Sequence, residues 1–340
     1  MVKLLTPLNG VAHGGNLSQA ISQFGGDIRD WLDVSTGISP FSWYDGRELT
    51  PPVSVMQALP QASEALQQAL HTYYGRTGLV AAGSQALIRL LPQCFSAGRV
   101  WVLQGTYGEH LRSWQQAGFI AEEKTAAAVR SLLRDGCPDE APDMLVLVNP
   151  GNPGGETFSA AELSQWADSL QQQGGWLVLD ETFIDCTPER SFLQQPEAGN
   201  VLILRSPGKF FGLAGLRCGF LFAPPAVCAS VASRLDPWPV SGFSLWLVTQ
   251  ALNDRAWQLG QRQRLQQAGE RLARLVQPLP CCAATPLFVT LQSGQVAAWH
   301  RQLAQQKIWS RLFVRQQRLR VGLPATEDGW QRLQHGLRTL

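Results

Sequence analysis

The chain has 340 residues, 45% hydrophobic and 16% charged, and its 28 basic and 26 acidic side chains leave a net charge of +2. A length above one average domain predicts two sub-domains sharing an interface, in a globular chain of ordinary composition. The charges are dispersed, which argues against a nucleic-acid groove or a polybasic membrane contact, both of which need clustered cations.

No apolar run approaches the roughly 18 residues of a membrane-spanning helix. The opening Met-Val-Lys-Leu-Leu-Thr-Pro lacks the apolar core of a signal peptide. The seven cysteines are odd in number and include the adjacent pair Cys281 and Cys282; they form neither a Cys-x-x-Cys pair nor zinc-site spacings with the five histidines. The expectation is a cytoplasmic protein with reduced thiols and no metal. Lysine occurs only at Lys3, Lys124, Lys209 and Lys307, so a lysine-dependent chemistry has few candidates.

In chain order, the apolar pattern predicts a helix over 84–94, a strand over 99–103, helices over 109–117 and 125–134, and a strand over 144–148. A helix over 159–173 follows, opened by the capping box Ser159-Ala160-Ala161-Glu162 and closed at Gly174-Gly175, as a helix ending in a left-handed residue closes. Further strands are predicted over 175–180, 200–205 and 218–222. Several of these strands are near-continuous apolar runs, the mark of burial on both faces. Their alternation with helices predicts an α/β fold, a mostly parallel sheet flanked by helices. After Asp236-Pro237-Trp238-Pro239 the character changes to a smaller α+β domain: a long helix over 257–276, a strand over 287–291, a helix over 295–306, strands over 312–315 and 318–322, and a last helix from Asp328.

The common nucleotide and zinc motifs are absent. Gly208-Lys209 is followed by Phe210, so there is no G-x-x-x-x-G-K-[ST], and neither G-x-G-x-x-G nor H-E-x-x-H occurs. What remains is a series of polar residues at the C-terminal ends of predicted buried strands, the edge where open α/β sheets bind ligands. Gly105-Thr106-Tyr107 follows the first strand, and Asn149-Pro150-Gly151-Asn152-Pro153-Gly154-Gly155 follows the second. Asp180-Glu181-Thr182-Phe183 ends the third, Ser206-Pro207-Gly208-Lys209 the fourth, with Gly215-Leu216-Arg217 shortly after; upstream, Gly83-Ser84 opens a helix.

In this order the motifs resemble those of the fold-type I pyridoxal-phosphate (PLP) enzymes, the aspartate-aminotransferase superfamily, over nearly the whole chain. The resemblance implies an N-terminal segment (1–45) that contributes to the active site, a large PLP-binding domain (46–236) and a small C-terminal domain (237–340). It gives Lys209 the covalent bond to the cofactor aldehyde, which burial beside cations assists by lowering a lysine's pKa; a surface lysine after a strand is the alternative. Asp180 pairs with the pyridinium nitrogen so that the ring accepts electrons from a breaking bond at Cα, unless it is a helix N-cap. Asn152 donates to the ring's phenolate oxygen, or is a turn asparagine. Gly83, Ser84 and Gln85 offer free N–H groups and a hydroxyl to the phosphate at a positive helix end, and Ser206 and Arg217 complete that cradle. Tyr107 stacks on the cofactor ring, and His110, one turn later, backs Asp180 or is merely packed.

Within the superfamily, Phe183 stands where most relatives carry a tyrosine whose phenol donates to the cofactor, a bond worth about 1.5–3 kcal/mol to a charged acceptor. Phe183-Ile184-Asp185 and His13-Gly14-Gly15-Asn16 are similar to the L-threonine-O-3-phosphate decarboxylases of cobalamin biosynthesis. Leu32-Asp33-Val34-Ser35 continues as in that family, except that two asparagines are Gly37 and Ser39 here. The resemblance places His13 and Asn16 at the substrate, Arg320 on its α-carboxylate, and Arg315, on the preceding strand, on its phosphate or in a structural ion pair. Leu59-Pro60 replaces a Tyr-Pro, so the expected homodimer lacks the cross-subunit tyrosine, and Gly154 stands where Thr or Ser is commoner. The implied reaction is decarboxylation of a phosphorylated amino acid, with a histidinol-phosphate-type or other aminotransferase as the alternative. That choice depends on which bond stands perpendicular to the cofactor ring, and the residue inventory leaves it open. A non-catalytic regulator of this fold would carry a helix-turn-helix module, for which a pattern starting at about His13 leaves no room.

Overall fold

The computed structural model describes residues 13–134 and 141–340. Lys3 and the opening residues read for a signal peptide lie outside the described residues. In chain order the elements are α1 (Leu17–Phe24), β1 (Leu32–Asp33), α2 (Ser54–Gln57), α3 (Glu64–Tyr74), β2 (Leu79–Ala81), α4 (Ser84–Leu90), β3 (Arg99–Leu103), α5 (Glu109–Gln116), β4 (Ile120–Lys124), α6 (Ala126–Arg134), β5 (Met144–Val148), α7 (Ala160–Gln171) and β6 (Trp176–Asp180). They continue with β7 (Val201–Arg205), β8 (Gly219–Phe222), α8 (Pro225–Ala232), α9 (Gly242–Asn253), α10 (Arg255–Leu275), β9 (Cys281–Ala284), β10 (Phe288–Gln292), α11 (Val296–Gln305), β11 (Ile308–Trp309), β12 (Arg311–Phe313), β13 (Arg318–Gly322) and α12 (Glu327–Leu337).

The central sheet runs β2-β8-β7-β6-β5-β3-β4. Strands β3 to β7 are mutually parallel, and β8 is antiparallel to both its neighbours. No crossover helix separates β7 from β8, only a single 3-10 turn over Ala214–Leu216, and a parallel partner would need such a crossover. Every residue of β5 is buried, and its side chains alternate between two cores. Leu145 and Leu147 pack with Leu66 and Leu70 of α3 and with Leu163 and Trp166 of α7, while Val146 faces Leu87 of α4 and Trp114 of α5. Period-2 alternation into two apolar layers is what a sheet covered on both faces requires. Ser159 caps α7 by accepting from Glu162 N–H while Glu162 accepts from Ser159, as the capping box predicts. Pro92, lacking an N–H, turns the end of the predicted 84–94 helix into a 3-10 segment over Leu91–Cys94.

The four-stranded antiparallel sheet β12-β13-β10-β9 forms the second layer system. The chain's early residues join this half: β1 pairs in parallel with β11, and Gly322 N–H donates to Val34 O at 2.7 Å. A Cβ on Gly322 would lie 2.3 Å from Thr36 O, so only glycine admits the segment that leads from β1 to the site. The described cysteines are free thiols, and no helix among the described residues is long and apolar enough to cross a membrane.

Candidate active site

The C-terminal ends of β3, β5, β6 and β7 open into a cleft of about 840 Å³, walled on its far side by residues 36–38 and by the turn joining β12 to β13. Register builds one wall: Asp180 at the end of β6 lies beside Val148 of β5, so the loop carrying Asn152 and the loop carrying Lys209 flank it.

Asp180 is 3% exposed. Its Oδ2 lies 2.9 Å from His110 Nε2, and its Oδ1 accepts from Thr182 N–H at 3.0 Å. Burial alone raises a carboxyl pKa, but the hydrogen bond and charge of His110 and the Thr182 N–H outweigh it and hold Asp180 below its ordinary value. Its neighbour Glu181 points the other way, into a buried cluster where it accepts from Arg205 at 2.9 Å with Asp185 on the same guanidinium. Only one carboxylate of this motif therefore serves the cleft. Lys209 Nζ lies 5.4 Å from the ring centre of Phe183. Burial, then the charge of Arg320, bring the Lys209 pKa down to about 8 against the opposing pull of Asp180.

At the start of α4, Gly83 takes a left-handed conformation (φ 80°) and Arg217 lies against it; a Cβ there would be 2.8 Å from Arg217 Nη2. The Gly83 N–H donates to Ala81 O at 2.7 Å, which corrects the expectation that it faces a ligand. The donors left at this helix start are those of Ser84 and Gln85. Ser206 lines the same end of the cleft. Tyr107 reaches in from the β3 end; its hydroxyl donates to Gln85 Oε1 at 2.8 Å, and burial first, then nearby carboxylates, push its pKa up to about 12.

On the opposite wall Arg320 is 6% exposed. It donates to Asn152 Oδ1 and, at 2.6 Å, to Ser35 O. Its Nε has no partner. Burial and the charge of Arg311 lower the Arg320 pKa to about 9. Arg311 and Arg320 are register partners and both line the cleft. Arg315 does not sit on a strand: β12 ends at Phe313, and Arg315 is exposed in the turn that follows, where Gln317 adopts a left-handed φ of 51° and donates to Val314 O. It reaches only the rim of the cleft.

His13 lines the cleft with its ring 5.9 Å from that of Tyr107. Asn16 does not reach it; its side chain caps α1 by accepting from Gln19 N–H at 3.2 Å. Gly37 is packed so that a Cβ would lie 2.8 Å from Phe183 Cε1, and Ser39 is buried and accepts from Gln261 Nε2. Neither replaces the family's asparagines as a polar contact. Gly154 makes room for Glu156, whose Oε2 would lie 1.8 Å from a Cβ there. Leu59 is exposed, outside the cleft. Arg311 and Arg112 line the cleft and Glu109 lies behind it against His13 and Gln85, and motif reading misses all three; alternation from Leu312 back to Arg311 is the available signal for the first.

A ligand bearing an aldehyde, a ring nitrogen and a phosphate finds an amine with lowered pKa, a buried carboxylate, and a helix start beside a guanidinium. Gly83 lacks the Cβ that would collide with Arg217 at 2.8 Å, so the guanidinium sits against the helix start, and Arg320 Nε is a buried donor without a partner; with Lys209 and Asp180 in the same cleft, these groups fit PLP. A family model described as aminotransferase class I and II matches residues 52–333. The threonine-phosphate decarboxylase of Pseudomonas aeruginosa is 39% identical over 328 residues, 96% of each chain. Among solved structures, L-threonine-O-3-phosphate decarboxylase from Porphyromonas gingivalis superposes with a TM-score of 0.72 at 17% identity, covering 90% of this chain and 98% of that one. Histidinol-phosphate aminotransferase from Sinorhizobium meliloti, in complex with pyridoxal-5'-phosphate, gives 0.73 at 18% identity over 97% and 99%. The two structures share the fold, and the sequence matches carry the closer relation: the chain belongs to the class I and II aminotransferase family.

Proposed function

We propose that this chain decarboxylates L-threonine O-3-phosphate to (R)-1-aminopropan-2-yl phosphate, a step in building the cobalamin side chain, with PLP as cofactor. The observation that carries this reading is the pairing of Arg311 with Arg320 on one wall of the cleft, two guanidiniums for a substrate with two anions, in a chain so similar to a threonine-phosphate decarboxylase.

Lys209 would hold the cofactor covalently, Asp180 its ring nitrogen, Asn152 its phenolic oxygen and Tyr107 its ring face. Ser84, Gln85, Ser206 and Arg217 would hold its phosphate. When bound, it supplies an electron sink for the pair left at Cα as the bond to the carboxyl carbon breaks. Arg320 and Arg311 orient the substrate by its carboxylate and phosphate, with Arg315 at the rim and His13 opposite. Phe183 and Phe313 in the wall would give the departing neutral carbon dioxide an apolar surface. Once the substrate's amine has displaced it from the cofactor, the Lys209 amine would be free to carry a proton to Cα.

The loaded enzyme should release carbon dioxide from threonine phosphate without consuming 2-oxoglutarate; glutamate formation in its place would overturn the reading in favour of an aminotransferase. We further read the protein as a cytoplasmic homodimer. Support for the dimer comes from the exposed Val53, Met56 and Leu59, near a groove lined by Pro60, Pro237 and Pro239, because exposed apolar patches mark protein contacts. Sedimentation at micromolar concentration decides it.

A further inference from the structure

Glu109 begins α5, where a carboxylate turned to solvent would need no explanation beyond the helix dipole. It is instead 4% exposed and surrounded by side chains of the cleft. Its Oε2 accepts from Gln85 Nε2 at 3.1 Å. Its Oε1 lies 3.8 Å from His13 Nε2 and 3.6 Å from Arg112 Nη1. The chemistry proposed above makes no use of it.

The hydrogen-bond chain has a direction. A carboxylate only accepts, so the Gln85 amide must turn its NH2 toward Glu109 and its Oε1 away. That oxygen meets the Tyr107 hydroxyl at 2.8 Å and, being an acceptor, obliges the phenol to donate into the wall. The other carboxylate oxygen faces His13, whose ring rests against that of Tyr107 and whose segment is anchored by Gly15 N–H on Ser35 Oγ at 2.7 Å.

We infer that Glu109 is a positioning residue for two cleft-lining groups at once: through Gln85 it fixes the hydroxyl direction of Tyr107, and directly it holds His13 over the substrate end of the cleft. The inference rests on the reading of this cleft as the site for PLP and a phosphorylated amino acid.

Glu109→Gln is nearly isosteric and separates charge from shape. In the apoprotein, amide exchange in the peptide spanning 13–24 should speed up by about 1.4-fold to fivefold, the range for a polar pair with one half-exposed partner, while exchange in 109–116 stays unchanged. In the loaded enzyme KM for threonine phosphate should rise by a similar factor with kcat within about twofold, and adding His13→Ala should raise it no further. Unchanged exchange over 13–24, or KM effects of the two substitutions that multiply, would overturn the inference. Faster exchange throughout α5 would also overturn it, because Glu109 would then only hold the helix. The exchange arm needs neither cofactor nor substrate, so an enzyme inert toward threonine phosphate sinks the functional reading and leaves this one to be judged separately.

Discussion

His110 is the most direct lever on Asp180. It is 1% exposed, and its Nε2 sits 2.9 Å from a carboxylate that otherwise takes its hydrogen bonds from Thr182. Phenylalanine keeps a flat ring of somewhat larger volume without the donor, so His110→Phe leaves a buried charge short of one hydrogen bond. A bond to a charged group is worth about 1.5–3 kcal/mol, so the affinity of the apoprotein for PLP should fall roughly tenfold to about 150-fold. The pH dependence follows from the sign of the shift. Asp180 has a folded pKa below its ordinary value, so its stabilisation is complete above the unfolded carboxylate value and is lost as pH falls through the folded one. Without His110 burial counts for more, the folded value rises, and the acid limb of PLP binding moves toward neutrality. Fluorescence titration of the apoprotein with PLP between about pH 5 and 8 reads both effects. Equal affinity and an unmoved acid limb, in a variant with the wild-type melting temperature, would refute this account of Asp180.

Borohydride reduction of the PLP-loaded protein followed by peptide mapping should place the label on Lys209, and Lys209→Ala should abolish it; a label on Lys124 or Lys307 would contradict the site. Arg311→Gln should raise KM for threonine phosphate about tenfold to a hundredfold, the loss of a charge-assisted contact, while Arg315→Gln changes it less than about threefold because its side chain is solvated. The reverse order would return the phosphate to the turn. Gly37→Asn pushes a Cβ against the buried rings of Phe183 and Phe288, at 2.8 and 3.2 Å, and should cost about 1–3 kcal/mol by overpacking; a urea midpoint equal to wild type would show that the rings yield.

Burial pattern decided which parts of this fold could be read from the residues. Strands β5, β6 and β7 are apolar up to their last residues because helices cover both faces, and each ends in a site residue or has one within four residues of its end. Edge strand β4, Ile120-Ala121-Glu122-Glu123-Lys124, is largely solvent-facing. Its charges protect an edge from mispairing, which removes the apolar signal that strand recognition uses. Helix α9 is apolar on most sides and so shows no clear 3.6-residue period. The same logic separates the site residues. Lys209, Asp180 and Asn152 follow strands and stand in motifs. The strand expected over 312–315 begins one residue after Arg311 and runs two residues past Phe313, which leaves out Arg311 and puts Arg315 on it. Asn16 is spent on a helix cap, and Glu109 looks like any first-turn acid until its burial is known. The tight fit of Gly37 against Phe183 involves residues far apart in sequence, and no local pattern encodes it.

The cleft gathers more positive charge than it neutralises. Burial, then the charge of Arg311, lower the pKa of Arg320 to about 9, and burial, then the charge of Arg320, lower Lys209 to about 8. In the apoprotein these cations are buried at a cost that an anionic cofactor and substrate remove, so ligand affinity is drawn from strain already present in the fold. For Lys209 the sign is fixed: its folded value lies below the unfolded 10.5, so its contribution is complete above that value and is lost as pH falls through about 8. The unfolding free energy of apo wild type should therefore climb relative to apo Lys209→Ala between about pH 7.5 and 9, with a slope of at most about 1.4 kcal/mol per pH unit. Cys186 and Cys218, whose thiols burial pushes up, lose stability as pH rises, but they are common to both proteins and cancel in the difference. Loading with PLP engages the Lys209 amine and should flatten that climb. A difference that stays flat in the apoproteins, or that falls with pH, would mean that burial and Arg320 do not lower the Lys209 pKa.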